Sequence, residues 1–401
     1  MLGDKRFLRT IRARNILSFG PDTRELELGS LNVLIGPNGS GKSNLTEVIT
    51  LLQAAPRNLL DPILAGGGIS EWLWKGHTEA HTADIDATIY YPQGTMPIRH
   101  RLALGMIAQR AEMMDEAIEN ERACGQRDEV RFYYRYQRGH PVLNVRTDEK
   151  TNGRVPRQLR REDLLLDQSV LSQRRDPDQY PEITYLANEY GKVRLFRDWN
   201  FGRNTPLRKP QATDLPPDFL LEDASNLALV LNDLEHRSSL RRQLVERLKD
   251  ADASIEDFST KVQGGTIQLY LHYSGLMSPV PATRLSDGTL RYLCLLAILF
   301  HPSPPPLVCL EEPELGLHPD LVAILADLLM DASQRMQLIV TTHSDTLVDG
   351  LSRAPEAVLV CEKTDASTVI SRRSSEELSV WLKDYGLGQL WRRGEIGGNR
   401  W

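Results

Sequence analysis

Gly36-Pro37-Asn38-Gly39-Ser40-Gly41-Lys42-Ser43 compresses many potential donors into a short stretch. Glycines at 36, 39 and 41 let backbone N–H groups close around an anion. Lys42 adds a point charge and Ser43 a hydroxyl, a set that suits a polyphosphate with its Mg2+. A second set of oxygens lies far along the chain, where Glu311 and Glu312 end the apolar run Leu307-Val308-Cys309-Leu310. A buried strand that turns at two adjacent acids can offer one carboxylate to a metal ion through water and the other to an attacking water. Leu285-Ser286-Asp287-Gly288 and Val340-Thr341-Thr342-His343-Ser344 stand on either side of those acids. Four such stretches in this order predict hydrolysis of a bound nucleoside triphosphate.

The elements that must hold these groups show in the periodicity. Phe7 to Arg14 alternates, Arg24 to Leu28 follows, and Leu31-Asn32-Val33-Leu34-Ile35 runs directly into the glycines, which reads as strands. Beyond Ser43, Leu45, Val48, Ile49 and Leu52 share one side at helical spacing as far as Gln53. Strand, glycine-rich loop and helix are the context a phosphate loop requires. The second half of this fold returns only near Ser286, so a long insertion divides the core. Inside it, residues 84–109 and 130–146 read as strands with Arg138-Gly139 as a turn, 226–249 as helical, and Thr266 to Tyr273 as strand. Sustained heptads, repeats and low-complexity tracts are absent from the sequence. The insertion is expected to form a second lobe rather than long coiled-coil arms.

The four stretches resemble those of ABC-type ATPases of the RecF/SMC branch, and especially the heads of overcoming-lysogenisation-defect (OLD) ATPases and related stand-alone predicted ATPases. The resemblance covers residues 1–80 and 280–350 and, more loosely, the whole chain. It implies an α/β P-loop ATPase head: a mixed, mainly parallel central sheet flanked by helices, with antiparallel N-terminal strands and an inserted α+β lobe. The expected spans are 1–100 for the first part of the head and 101–275 for the inserted lobe. Residues 276–365 would form the second part of the head and 366–401 a tail. The cofactors implied are ATP and Mg2+, with Gly36, Asn38, Gly39, Ser40, Gly41, Lys42 and Ser43 on the phosphates. Ser43, Glu311 and a Q-loop glutamine, Gln173 with Gln168 next, would serve the metal. Glu312 would activate water, His343 would be the switch histidine, and Ser286 and Gly288 would reach the γ-phosphate held by a second copy. Two departures stand out. Glu311 replaces the usual Asp, and His318 occupies the D-loop position of an Asp, in a form that looks usual for the OLD-like branch. Leu17, in the Asn15 to Phe19 turn, replaces a basic residue that some relatives place beside adenine.

Other features bound the reading. A net charge of −6 with 25% charged residues favours solubility and gives no overall nucleic-acid signature, while leaving room for a local basic groove. Arginines cluster at Arg157, Arg160 and Arg161, at Arg174-Arg175, and across 194–209 and 237–249. The longest apolar run, Leu293 to Phe300, falls short of the roughly 20 residues of a membrane span. With no signal region behind Met1 and with Cys124, Cys294, Cys309 and Cys361 scattered, a cytoplasmic protein with reduced thiols is expected. His77 and His81 lack the context of a zinc site. Asp84/Asp86 and Asp176/Asp178 have D-x-D spacing but read as exposed strand and loop residues. Residues 344–401 hold no such pair, so no nuclease domain is expected after the head. The tail holds Trp381, Trp391 and Trp401 and reads equally as an anchor for a partner or as a segment folded onto its own lobe. The resemblance implies an ATP-dependent homodimer or higher homo-oligomer that engages DNA or controls a separate effector such as a nuclease, in bacterial anti-phage defence. The alternatives are a RecF-like DNA repair clamp and an ATP-bound scaffold with little turnover.

Overall fold

The computed structural model describes residues 6–76, 80–123, 130–137, 140–148, 153–159, 164–374, 377–378 and 381–398. His77, Cys124, the Arg138-Gly139 turn, Arg160, Arg161 and Trp401 lie outside them. The chain groups into two compact units, one of Met1–Val193, Leu359–Arg373 and Gly397–Trp401, the other of Arg194–Val358 and Ser374–Ile396. These divisions fall at other points than the four spans expected from the sequence.

The first unit contains β1 (Leu8–Arg14), β2 (Leu26–Glu27), β3 (Leu31–Ile35), β4 (Thr82–Ile89), β5 (Ile98–Ile107), β6 (Arg110–Asn120), β7 (Phe132–Gln137), β8 (His140–Asp148) and β9 (Gly153–Gln158). Its helices are α1 (Lys42–Ala54), α2 (Leu60–Ala65), α3 (Ile69–Trp72), α4 (Val170–Gln173) and α5 (Pro181–Lys192). All of these strands except β3 form one eight-stranded sheet in the order β2-β1-β4-β5-β6-β7-β8-β9. Strands from the expected insertion thus continue the sheet that β1 begins. After a register shift between Leu8 and Thr10, alternation along β1 buries Ile11 and Ala13 and turns Arg12 and Arg14 to the opposite face. There Asp86, directly across from Arg12, accepts hydrogen bonds from Arg12 Nη2 at 2.7 Å and Arg99 Nη2 at 2.5 Å. Glu119 pairs with Arg101 Nε at 3.2 Å and Arg135 Nη2 at 3.1 Å. Asp86 is therefore buried, against the exposed position expected of it, because both flanking strands bring it a guanidinium. Desolvation pushes its pKa up, but hydrogen bonds and charge from Arg99 and then Arg12 outweigh this and hold it below the usual carboxylate value. A wholly buried polar chain fixes the start of α4: Glu116 accepts from Val170 N at 2.9 Å and Ser169 Oγ, while His100 bridges Glu116 and Tyr190 at 3.2 Å each.

The second unit contains β10 (Arg194–Phe196), β11 (Gln211–Ala212), β12 (Ile255–Gln263), β13 (Thr266–Tyr273), β14 (Val280–Pro281), β15 (Leu307–Glu311) and β16 (Gln337–Thr341). The hairpin strands β17 (Val358–Thr364) and β18 (Ser367–Arg372), which lie beside β3 in the order β3-β17-β18, return to the first unit. β10, β15 and β16 are neighbours and run parallel, with Phe196 opposite Leu310 and Leu310 opposite Val340. Leu307–Leu310 and all of β16 are buried, as expected of strands covered on both faces. The register brings the carboxyl ends of all three strands together, the place where open parallel sheets bind ligands. The helices are α6 (Leu227–Glu235), α7 (Ser238–Ala251), α8 (Asp287–Leu299), α9 (Pro319–Ser333), α10 (Asp345–Gly350) and α11 (Leu387–Arg393). The longest described helix, α9, has 15 residues, so the described residues contain no long coiled coil. Nor is any of their helices long and apolar enough to cross a membrane.

Within the tail, the described helix α11 is folded onto its own unit. α11 buries Leu387, Leu390 and Trp391, and Arg392 Nε lies 3.0 Å from Asp345 Oδ2. Asp349 Oδ1 accepts from Gly388 N at 3.1 Å and Ser352 Oγ from Leu387 N at 2.8 Å, so α10 supplies the acceptors that the start of α11 lacks. β-Carbons at 386 and 388 would collide with Asp349 and with the Asp345 carbonyl, so glycine allows this approach.

Candidate active site

In the first unit, β3 delivers the chain into a loop where Gly36, Gly39 and Gly41 take φ of 149°, 78° and 95°, angles that glycine adopts without penalty. A β-carbon at Gly36 would strike the Cys361 carbonyl, and one at Gly41 the hydroxyls of Thr368 and Ser18. Lys42 is buried, and its Nζ donates to the carbonyls of Gly36 at 2.8 Å and Pro37 at 3.1 Å, curling the loop. α1 starts without a side-chain cap and without an acid in its first turn. The positive end of its dipole thus faces the loop with no acid of its own helix to offset it. Ser43 is exposed at this end, as are Asn38 and Gly39, while Ser40 Oγ is buried with no hydrogen-bond partner among the described residues. The loop has a brace of its own. Thr368 Oγ1 lies 2.8 Å from the Ser40 carbonyl and 2.6 Å from Ser18 Oγ, which accepts from Asn44 Nδ2 at 2.7 Å. The Asn15–Phe19 turn holds itself by paired backbone bonds between Ile16 and Phe19. It borders a cleft of about 310 Å³ lined by Leu17, Ser18, Asn44, Trp74, Lys75 and Lys363. This donor set fits a nucleotide polyphosphate.

In the second unit, Glu311 and Glu312 mark the end of β15, and Arg197 follows β10 beside them. Arg197 Nε is 3.5 Å from Glu311 Oε1. The carbonyls are held too: Trp199 Nε1 donates to that of Glu311 and Arg291 Nη1 to that of Glu312, each at 3.2 Å. Trp199 stacks between Phe196 and Phe201 at 5.5 and 5.8 Å. The Arg291 guanidinium lies 5.3 and 5.0 Å from the Trp199 and Phe201 ring centres, within cation–π range. Glu312 has φ of 44°, and its N–H donates to the Thr341 carbonyl at 3.0 Å. Its carboxylate is thereby brought to His343, with Nε2 3.7 Å from Oε1. Both acids, Arg197, Trp199, Asn200 and Arg291 line a cleft of about 430 Å³. No group of three or more His, Cys, Asp or Glu side chains among the described residues could hold a metal ion.

Ser286 caps α8, its Oγ accepting from Thr289 N at 3.1 Å, and it stays exposed. A β-carbon at Gly288 would lie 2.8 Å from the Gly316 carbonyl, so the turn at Ser286–Gly288 and the turn after Glu312 pack backbone to backbone. Arg208 braces this turn by donating to the carbonyls of Leu285 at 2.6 Å and Phe201 at 2.7 Å and by pairing with Asp287. His318 caps α9 through Asp320 N at 3.4 Å. Glu314, between these turns, is buried, which raises its pKa, while bonds from Thr342 and two backbone amides pull it down.

The structure gathers Gly36 to Ser43 in the first unit, and in the second it sets Glu311 and Glu312 on one cleft with His343 beside Glu312. Gln173 is committed locally, its Oε1 accepting from Leu165 N at 2.7 Å and its Nε2 donating to the Leu165 and Gln168 carbonyls at 3.1 and 3.0 Å. Gln168 binds Leu59 N at 3.1 Å and Asn58 at 2.6 Å. Metal binding by either glutamine would have to replace such bonds. Several arginines of the basic clusters are paired with acids: Arg237 with Asp233 at 3.1 Å, Arg241 with Asp257 at 2.6 Å and Arg247 with Asp250 at 3.3 Å. Residues that sequence reasoning did not single out for the site are Arg197, Trp199, Arg291, Glu314 and Thr368. The only local signal for the first two is the short apolar pair Leu195-Phe196 ahead of Arg-Asp-Trp.

A family model described as "AAA domain, putative AbiEii toxin, Type IV TA system" matches residues 31–349. No curated protein matches the chain. Among solved structures, an SMC head bound to the C-winged helix domain of ScpA is 14% identical with a TM-score of 0.58, over 92% of this chain and 99% of that one. An SMC head with an extended coiled coil bound to the C-terminal domain of ScpA, from Pyrococcus furiosus, is 13% identical with a TM-score of 0.57, over 94% and 99%. An SMC head with a coiled coil and joint from Pyrococcus yayanosii is 12% identical with a TM-score of 0.56, over 94% and 99%. These likenesses establish the fold.

Proposed function

The chain belongs to the AbiEii-type AAA domain family, P-loop ATPases, and has the fold of SMC heads; we propose that it hydrolyses ATP between two copies of itself. Backbone amides of the glycine-rich loop and Lys42 bind the β- and γ-phosphates. Ser43 and Glu311 are the residues that would hold Mg2+, which would supply charge compensation to the transferring phosphoryl group. Glu312 orients the attacking water and accepts its proton, and His343 supports the γ-phosphate beside it. Ser286 and Gly288 complete the partner copy's site, so assembly depends on ATP. The observation that carries the reading is the pairing of Glu312 with His343 at 3.7 Å, with the Glu312 backbone pinned at N–H and carbonyl. A base held at both peptide groups is preorganised for one geometry.

The ATP-driven assembly acts on a separate effector, a nuclease or another enzyme, in an OLD-like defence role. The mention of a toxin–antitoxin system in the family's description supports that setting, and the ScpA-bound SMC heads give a precedent for a protein partner on this fold. Glu312→Gln removes the base and keeps the phosphate contacts, so it should accumulate an ATP-bound dimer. Ser286→Arg should bind ATP as a monomer. Light scattering with and without ATP tests both, and equal masses for the two variants under both conditions would sink the proposal. Purification of the native complex tests the effector, and a chain recovered alone in its ATP-bound form would argue against one.

A further inference from the structure

Glu314 is an acid buried next to residues open to solvent: Leu315 beside it is 51% exposed, yet Glu314 is only 8% exposed. Burying an ionised carboxyl is costly unless donors replace its water. Apart from its own backbone N–H, the donors here belong to the turn after β16. Oε1 accepts from Thr342 Oγ1 at 2.5 Å and from the backbone N–H of His343 at 3.1 Å. Thr342, itself fully buried, accepts in turn from Ser344 N at 2.9 Å, and Ser344 caps α10 through Leu347 N at 3.2 Å. The peptide that carries His343 is thus gripped between the Glu314 carboxylate and the start of α10. The turn after β15 and the turn after β16 are tied twice, at Glu312 N to the Thr341 carbonyl and at Glu314 to Thr342 and His343. Between the two ties lies the Glu312–His343 contact.

We infer that Glu314 is a positioning residue for the switch histidine: through Oε1 it sets the backbone of His343, and so the distance of the imidazole from Glu312. Thr342 is the second half of the device. This rests on the reading of His343 and Glu312 as parts of an ATPase site. Glu314 acts through the His343 backbone that it holds. Its Oε2, buried without a partner among the described residues, takes no part in the grip, so a carboxamide whose oxygen replaces Oε1 can do the same work.

The test compares Glu314→Ala, Glu314→Gln, Thr342→Val, His343→Ala and the double variant of Glu314→Ala with His343→Ala, in the full chain. A catalytic group displaced by about an ångström loses up to about 100-fold in rate. Glu314→Ala and Thr342→Val should therefore lower kcat about tenfold or more, with the Kd for ATP within about twofold. Glu314→Gln should recover most of the rate. In the His343→Ala background, adding Glu314→Ala should cost nothing further. The imidazole resonances of His343, followed by NMR, should move in Glu314→Ala and Thr342→Val but stay in place in Glu314→Gln. Wild-type kcat in Glu314→Ala, equal loss in the Gln and Ala variants, or an additive loss on His343→Ala would each overturn the inference. A wild-type chain that hydrolyses no ATP would sink the ATPase reading instead, and the His343 resonances would still decide this one.

Discussion

Truncating Trp391 to alanine should destabilise the protein strongly although no group of the candidate site is touched. The side chain is 9% exposed, and Leu387 and Leu390, a turn and one position away on α11, are each 1% exposed. A buried Trp covers about 150–250 Å², and Trp→Ala truncations cost about 3–5 kcal/mol. Because Trp391 keeps a little exposure, the lower end, about 3 kcal/mol, applies. For a unit of 150–250 residues each kcal/mol moves the midpoint by about 2–4 °C, so Tm should fall by about 6–12 °C. Trp381, 46% exposed, is the matched control, and its truncation should stay within about 0.5 kcal/mol. Thermal unfolding by circular dichroism measures both. ATP affinity well below the transition should be unchanged in Trp391→Ala. A Trp391→Ala protein that melts within 2 °C or so of the parent, or one that melts normally but loses assembly, would mean that the residue serves a partner rather than its own unit.

Gly41→Ala should abolish nucleotide binding in a folded protein, because φ of 95° and the hydroxyls of Thr368 and Ser18 leave a β-carbon no place; a nucleotide titration alongside a melting curve checks it. Asp86→Asn should lower stability at neutral pH by about 1–3 kcal/mol, the worth of charge-assisted bonds from Arg99 and Arg12. With its folded pKa below the ordinary 3.8, Asp86 contributes stability above that value and loses it as pH falls through the folded pKa. The stability difference between Asp86→Asn and parent should therefore shrink in acid, and a pH-independent gap in urea titrations would contradict this. Purified protein with Mg2+ or Mn2+ should leave plasmid DNA uncut on a gel, and cleavage lost in Asp84→Ala or Asp176→Ala would reveal a nuclease in the chain.

What could be read from the sequence was what is local. Strand, glycine loop and helix follow one another within residues 31–54, and their chemistry depends on backbone angles that glycine announces. Glu311 and Glu312 announce themselves by ending an apolar run, and the structure adds that neighbours turn both toward one cleft. Register was not legible. That Asp86 is buried follows from Arg12 and Arg99 on the flanking strands, a fact held in pairings across tens of residues that periodicity cannot supply. The same holds for β10, a three-residue strand whose place beside β15 puts Arg197 at Glu311. Searching by residue type led instead to Gln173, whose amide serves its own loop. The composition of the tail fitted a partner or its own unit equally well. Gly386 and Gly388 would have tipped the balance, since two glycines around a helix start mark backbone in close approach, here to Asp349 and Asp345. Glu314 shows the limit most plainly: one of three acids in four residues, it differs from Glu311 and Glu312 only in where the turn after Pro313 points it. The difference between a side chain that faces a cleft and one spent on holding the His343 backbone arises in the turn, not in the residue type.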